Sequence, residues 1–186
     1  LIVGGTTGIG RAAARRFLEE GAGVVVAGRS PDKGADAVAA LGGLGPVAYV
    51  PCDAARPDQV EQLFGRAVAF LGGLDVLYHV AGSSGRGHGD GPLHECTDEG
   101  WQATLGANLT STFLTNRAAV RHFLAHGSPG AILNMASVLG FAPSPHHFDT
   151  CAYTATKGGI LAMSRLAAAR YAPAGIRVNV IAPGLV

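Results

Sequence analysis

The sequence predicts an α/β fold: a doubly wound, mostly parallel sheet held between two layers of helices. Three observations predict it. Short apolar runs alternate with helix-patterned segments throughout the chain, the arrangement that parallel strands with crossover helices require. The run Val24-Val25-Val26-Ala27 is continuously apolar, as expected of a strand buried on both faces. Glycine makes up 28 of the 186 residues, about twice the usual share, and much of it falls where strands and helices meet. With no fixed-period repeat and no shift in composition, residues 1–186 read as a single domain.

The elements follow in order. Leu1 to Val3 is β-prone and leads into a glycine turn. Arg11 to Glu20 holds good helix formers and stops at Gly21. The Val24–Ala27 strand comes next, then a helix from Asp32 to Leu41 closed by Gly42-Gly43. Val47 to Val50 is a third strand. Pro57, at a first helical position, opens a helix through Val60, Leu63, Phe64, Val68 and Leu71. Leu74 to Val80 is a fourth strand, followed by the Gly-rich loop Ala81–Pro92, in the place where such sheets put their sites. Thr97 begins one long helix through Trp101, Leu105, Leu109, Phe113, Val120 and Phe123. Ala131 to Ala136 is a fifth strand. Phe141 to Thr150, with Pro143 and Pro145, is irregular. Ala152 to Tyr171 is a helix, and Ile176 to Ile181 a sixth strand. Both ends read as cut: no Met opens the chain, and Pro183-Gly184-Leu185-Val186 stops just past a strand.

Composition narrows the function classes. The net charge is +1, with no basic block, which gives no footprint for nucleic acid. No apolar run has the length of a membrane span. Cys52, Cys96 and Cys151 are odd in number, scattered and free of a CxxC pairing, which suits free thiols in a reducing, cytoplasmic setting. No metal site is expected: His146 and His147 are adjacent on a loop and lack a supporting Cys or carboxylate cluster. Cys151 reads as packing rather than as a redox handle.

Gly4, Gly8 and Gly10 lie between the first strand and the first helix. Glycines there let a pyrophosphate approach the backbone at a helix N-terminus, which offers free N–H groups and partial positive charge. The spacing is GxxxGxG. The second strand ends in Gly28-Arg29-Ser30, without the carboxylate that would hold the ribose hydroxyl of NAD. Arg29 can instead meet a 2′-phosphate, which favours NADP, with NAD as the alternative.

Tyr153 and Lys157 stand four residues apart on the predicted helix, so their tips can converge. Only Lys33 and Lys157 are lysines among the fourteen Lys and Arg. An ammonium beside a phenol is expected to lower the phenol's pKa from near 10, making it a proton exchanger for an alcohol or carbonyl oxygen.

With these motifs in order, the chain resembles the short-chain dehydrogenase/reductase family, in its branch of about 250 residues with a GxxxGxG turn and a YxxxK pair. The resemblance implies a Rossmann-type, three-layer fold lacking its last strand here. It implies a cofactor turn over Gly4, Thr6, Gly8, Ile9 and Gly10. Asp53 would stand on the adenine side, and Ala81 and Gly82 beside the cofactor. Asn108, Ser137, Tyr153 and Lys157 would form the catalytic set, with Tyr153 and Lys157 also touching the cofactor and Pro183-Gly184 backing the nicotinamide. In this picture Ser137 holds the substrate oxygen, Tyr153 exchanges its proton, Lys157 holds the ribose, and Asn108 positions a water. The partner would be a small carbonyl or alcohol, and the Ala- and Leu-rich helices around Asn108 and Tyr153 would pair copies into a homotetramer or dimer. The alternative is an inactive dinucleotide-binding sensor or scaffold. Three features depart from the pattern. His79 and Val80 replace two Asn. Thr7 stands where NADP enzymes often carry a basic residue. The Ser137–Tyr153 gap is long, with the extra length in Ala142–Thr150.

Overall fold

The computed structural model describes residues 1–185. Six parallel strands stand in the order β3-β2-β1-β4-β5-β6. They are β1 (Ile2–Val3), β2 (Val24–Gly28), β3 (Val47–Pro51), β4 (Val76–His79), β5 (Gly130–Met135) and β6 (Ile176–Ile181). The order runs outward from β1 one way and then, from β4, the other. β1 therefore pairs with β2 on one side (Val3 beside Ala27) and β4 on the other (Val3 beside His79). At such a reversal the connections diverge, and a crevice opens at the carboxyl ends of the strands.

The helices are α1 (Gly8–Glu19), α2 (Pro31–Leu41), α3 (Pro57–Leu71), α4 (Asp98–Leu105), α5 (Ser111–His126) and α6 (Cys151–Tyr171). Strand periodicity sorts the core into two layers. Val24 and Val26 pack with Ala14, Leu18, Ala37 and Leu41 under α1 and α2. Val25 and Ala27 face the other way and join Leu63, Leu77, Phe123 and Ile132 under α3 and α5. This is the doubly wound, three-layer α/β architecture that the alternating pattern predicts. Among the described residues no helix is long and apolar enough to cross a membrane.

Most element ends shift by no more than two residues from the sequence-based expectation, β4 for instance covering Val76–His79 rather than Leu74–Val80; two differences are larger. α1 starts inside the glycine turn, at Gly8 rather than Arg11, so the turn itself supplies the helix's first amides. The single long helix expected from Thr97 to Phe123 is α4 and α5 joined by a π-helical turn, Gly106–Thr110. The cause is a run of side chains that bond back to the helix. Asn108 Nδ2 donates to the Thr104 carbonyl at 2.9 Å, Ser111 Oγ to the Ala107 carbonyl at 2.8 Å, and Thr112 Oγ1 to the Asn108 carbonyl at 2.7 Å. Polar insertions of this kind widen a helix locally. An apolar-stripe reading does not register them.

Candidate active site

A cleft of about 710 Å³ opens at the carboxyl ends of β1, β2 and β4. A second cavity of about 180 Å³, lined by Leu1, Phe17, Leu74 and Tyr78, lies at the opposite, amino ends of the strands, and no group of the predicted site reaches it.

The floor of the large cleft is the glycine turn. Gly4 has φ +85°, and a Cβ there would come 2.6 Å from the Ala81 nitrogen. A Cβ on Gly10 would overlap the Gly4 carbonyl. Side chains are excluded at both, so backbone lies bare against the cleft beside Thr6, Gly8 and Ile9. Thr7, the N-cap of α1, makes no side-chain cap bond. The first amides of this twelve-residue helix are thus left for an outside acceptor. That cradle fits a pyrophosphate.

Arg29, Ser30 and Lys33 line the cleft at the end of β2. Ser30 caps α2, accepting from the Lys33 amide at 3.4 Å. Lys33 escaped the sequence reading, although it lies four residues beyond Arg29, in the first turn of α2. Two cations stand where one was expected. Asp53 lines the next stretch of wall, with its Oδ1 accepting from the Ala55 amide at 3.0 Å and its own amide donating to Gln59 Oε1 at 2.7 Å.

Ala81, Gly82 and Ser83 form the facing wall, with Ala107 and Ser111 behind. A Cβ on Gly82 would stand 2.5 Å from Asn108 Oδ1 and 3.5 Å from Lys157 Nζ. Gly82 is therefore the thin partition between the cleft and the catalytic candidates. Asn108 is fully buried and clamps the loop: its Nδ2 donates to the Ser83 carbonyl at 2.8 Å and its Oδ1 accepts from the Ser83 amide at 3.2 Å.

Lys157 is 2% exposed. Its Nζ donates to the Met135 carbonyl at 2.9 Å and stands 5.3 Å from the centroid of the Tyr153 ring. Burial holds the ammonium down at about 8. Burial also raises the Tyr153 phenol, with the Ser137 hydroxyl pulling the other way. The expected lowering of Tyr153 by Lys157 thus does not dominate in this state, because taking the phenolate out of water costs more than its neighbours return. Ser137 is buried and its Oγ accepts from the Leu139 amide at 3.2 Å. Pro183 lies beside it, its carbonyl accepting from the Val138 amide at 3.0 Å. Gly184 is exposed with nothing within 4 Å of a Cβ placed on it.

His79 accounts for one replaced Asn. Fully buried between β4 and α5, it pairs through Nδ1 with Thr115 Oγ1 at 2.8 Å and through Nε2 with Ser111 Oγ at 3.3 Å. Its bonds go to α5 rather than to neighbouring strands. Burial, helped by nearby Lys157, lowers it to about 3, so it stays neutral.

A residue the sequence reading missed anchors the site. Asp90, in the Gly-rich loop and 6% exposed, accepts from the Ala152 amide at 3.0 Å and from the Tyr153 amide at 2.9 Å. It caps α6 from 63 residues away, while the local N-cap, Thr150, makes no such bond. No short-range spacing could reveal a cap donated from another loop. His146 and His147 are exposed. The segment that holds them is tied to the Gly-rich loop: Arg86 Nη2 donates to the His147 carbonyl at 3.0 Å and its guanidinium lies over the Phe148 ring.

A glycine-floored crevice at the switch point of a parallel sheet defines a Rossmann-type nucleotide-binding fold. All residues, 1–186, match the family described as short chain dehydrogenase. The chain is 39% identical over 181 residues to a (5R,7aS)-5-hydroxy-7a-methyl-1-oxo-2,3,5,6,7,7a-hexahydro-1H-indene-carboxyl-CoA reductase of Mycobacterium tuberculosis, covering 96% of this chain and 66% of the relative. It is 38% identical over 188 residues to 3beta-hydroxysteroid dehydrogenase 1 of Eggerthella lenta, covering 99% and 69%. An NAD+-bound xylitol dehydrogenase structure superposes with a TM-score of 0.90 at 28% identity, covering 98% of this chain and 68% of that one. The chain belongs to the short-chain dehydrogenase/reductase family, whose members are oxidoreductases using NAD or NADP. It spans about two thirds of the length of the curated relatives it matches.

Proposed function

We propose that the protein is an NADP-preferring oxidoreductase that interconverts a secondary alcohol and a ketone. One observation carries the reading: the Ser137 hydroxyl, the Tyr153 phenol and the buried Lys157 ammonium meet behind Gly82, at the edge of the glycine-floored cleft. The amides at the start of α1 would hold the pyrophosphate, Asp53 would lie toward the adenine, and Ala81, Gly82, Pro183 and Gly184 would flank the nicotinamide. Arg29 and Lys33, with Ser30, support the choice of NADP over NAD, because two cations at this point complement a 2′-phosphate. The bound cofactor supplies a hydride donor or acceptor.

The residues of this chain handle the proton. Ser137 Oγ donates a hydrogen bond to the substrate oxygen and fixes its position. Tyr153 Oη gives that oxygen a proton as the carbon gains hydride, and takes one in the reverse direction. With burial raising the phenol, the resting Tyr153 is protonated, which suits ketone reduction. Lys157, an ammonium with a value of about 8, stands ready to restore the phenol's charge state and to hold the ribose. Asn108 keeps the Ser83 backbone and the α4–α5 junction in register with it. The alcohols named for the two relatives, on an indene-derived ring and on a steroid, support an alicyclic secondary alcohol as the substrate class.

Tyr153→Phe tests the reading. Turnover should fall by about 100- to 10,000-fold while NADPH binding, followed by fluorescence, stays within threefold, roughly the size of a peripheral effect. A fully active variant overturns the role. We further propose a cytoplasmic homo-oligomer, tetramer or dimer, supported by the three free cysteines and by Trp101, Phe113, Leu124 and Leu166 exposed on α4, α5 and α6. Sedimentation as a monomer at micromolar concentration would remove the second part.

A further inference from the structure

Three side chains converge at the head of α6, and none of them lines the large cleft. The donor atoms of Asp90, Cys96 and Cys151 all lie within 4.8 Å of one another, and Cys96 Sγ is 3.9 Å from Asp90 Oδ1. They come from two segments, the Gly-rich loop with its continuation to Cys96 and the first turn of α6. The Cys151 amide donates to the Gly91 carbonyl at 2.9 Å and joins the two segments, while the Cys96 amide, donating to the Pro92 carbonyl at 2.9 Å, fixes the turn that carries Cys96. Asp90 is 6% exposed, and each thiol is half-buried, so an ion could reach the sulfurs while the carboxylate is fixed behind them.

We infer that Asp90, Cys96 and Cys151 form a binding site for one thiophilic divalent cation of the zinc type, separate from the hydride-transfer chemistry. Two thiolates and a carboxylate are the donor set that such a cation takes, with a fourth position left to water. The reach is right. At Zn–S distances of about 2.3 Å a tetrahedral ion holds two sulfurs about 3.8 Å apart, so the two sulfurs, within 4.8 Å of each other, need to close by about 1 Å at most. Charge also balances. Before binding the cluster carries one negative charge, on Asp90, with both thiols protonated. Binding releases two protons to solvent and adds two positive charges to three negative ones, leaving one negative charge again. No new net charge is buried, and the cluster stays at a helix N-terminus, where negative charge is favoured. Asp90 keeps a free lone pair on each oxygen after accepting the Ala152 and Tyr153 amides.

A dithiol pair poised for oxidation is the competing chemistry. The geometry favours the cation over that chemistry: Asp90 stands as a third donor within 4.8 Å of both sulfurs, a carboxylate that a disulfide would leave unused and a zinc-type ion would ligate.

Cobalt(II), used as a spectroscopic probe on the reduced, untagged, metal-free protein, tests the site. The expected result is a thiolate-to-cobalt charge-transfer band that saturates at one ion per chain and is displaced by zinc. Cys96→Ser should abolish the band and weaken zinc binding by calorimetry by about 100-fold or more. In the wild-type protein zinc should shield Cys96 and Cys151 from alkylation, read peptide by peptide, so the result does not depend on a variant folding. A wild-type protein with no band, a band that survives Cys96→Ser, or alkylation unchanged by zinc each overturns the site. So does an air-exposed protein that forms a Cys96–Cys151 disulfide while its reduced form binds no cobalt.

Discussion

The half of the molecule from β1 to β3, which carries the proposed nucleotide cradle, and the half from β4 to β6, which carries the proposed catalytic side chains, are held together by different means. Up to Tyr78 the buried side chains are apolar with one exception, Thr6, and the cleft is bare backbone at the glycine turn with polar side chains that are not buried, Arg29, Lys33 and Asp53, around it. From His79 onward fourteen polar or charged side chains are buried, among them Asp90, Asn108, Asn116, Asn134, Ser137 and Lys157. They are wired together: Asn116 and Asn134 exchange amide bonds at 2.8 and 2.9 Å, and Asn134 reaches Ser164 at 3.0 Å. One half presents amides, which need only the right turn, and solvated charges, which need no burial. The other presents an ammonium, a phenol and a hydroxyl, each of which must be held in place against its tendency to return to water.

The contrast predicts where stability resides. Asn134→Leu should cost the most, about 3 kcal/mol, because it strands the Asn116 amide and the Ser164 hydroxyl without partners. Equilibrium urea unfolding measures it, and a loss below 0.5 kcal/mol, roughly that of an indifferent surface change, would break the contrast. Asp90→Ala should follow at about 2 kcal/mol, the loss of two bonds to a charged cap. Its turnover should drop with little change in the Michaelis constant for cofactor, since Tyr153 loses the bond to its own amide.

The pH dependence of Lys157 comes next. Its folded value, about 8, lies below the ordinary 10.5. Between these values the unfolded chain binds more protons than the folded one, so the cost of burying the charge is relieved as pH rises. From pH 8 to 9 the wild type should gain about 1 kcal/mol relative to Lys157→Met. A flat difference would mean that Lys157 is not desolvated. The smallest effect belongs to the half from β1 to β3. Arg29→Ala should change stability by less than about 0.5 kcal/mol, as for a surface residue, yet raise the Michaelis constant for NADPH more than that for NADH.

The same division explains what could be read from the chain before any coordinates. The β1 turn and the YxxxK pair are local patterns, carried by residues at most six positions apart, and Gly4, Gly8, Gly10, Tyr153 and Lys157 all fall as the spacing implies. The parallel sheet with helices on both faces follows from alternation, whereas the order β3-β2-β1-β4-β5-β6 is set by packing that alternation does not specify. What escaped was non-local or polar. Asp90 caps a helix from another loop, Lys33 joins Arg29 only once α2 has turned, and Cys96 meets Cys151 across 55 positions of chain. The break at Gly106–Thr110 was hidden because Asn108, Ser111 and Thr112 look like polar positions on an ordinary helix until their bonds back to the backbone are seen. The effect of burial on Tyr153 likewise depends on what surrounds the ring, and sequence neighbours do not give that.

The grip of Arg86 on residues 142–150 has a consequence for anyone who would exchange that segment. By holding the His147 backbone and covering the Phe148 ring, one guanidinium stitches that segment and the Gly-rich loop together. Grafting residues 142–150 onto a relative without that arginine would move the segment but leave its fastener behind. The two segments form one exchangeable part, and the loop's conformation should travel only when both are transplanted.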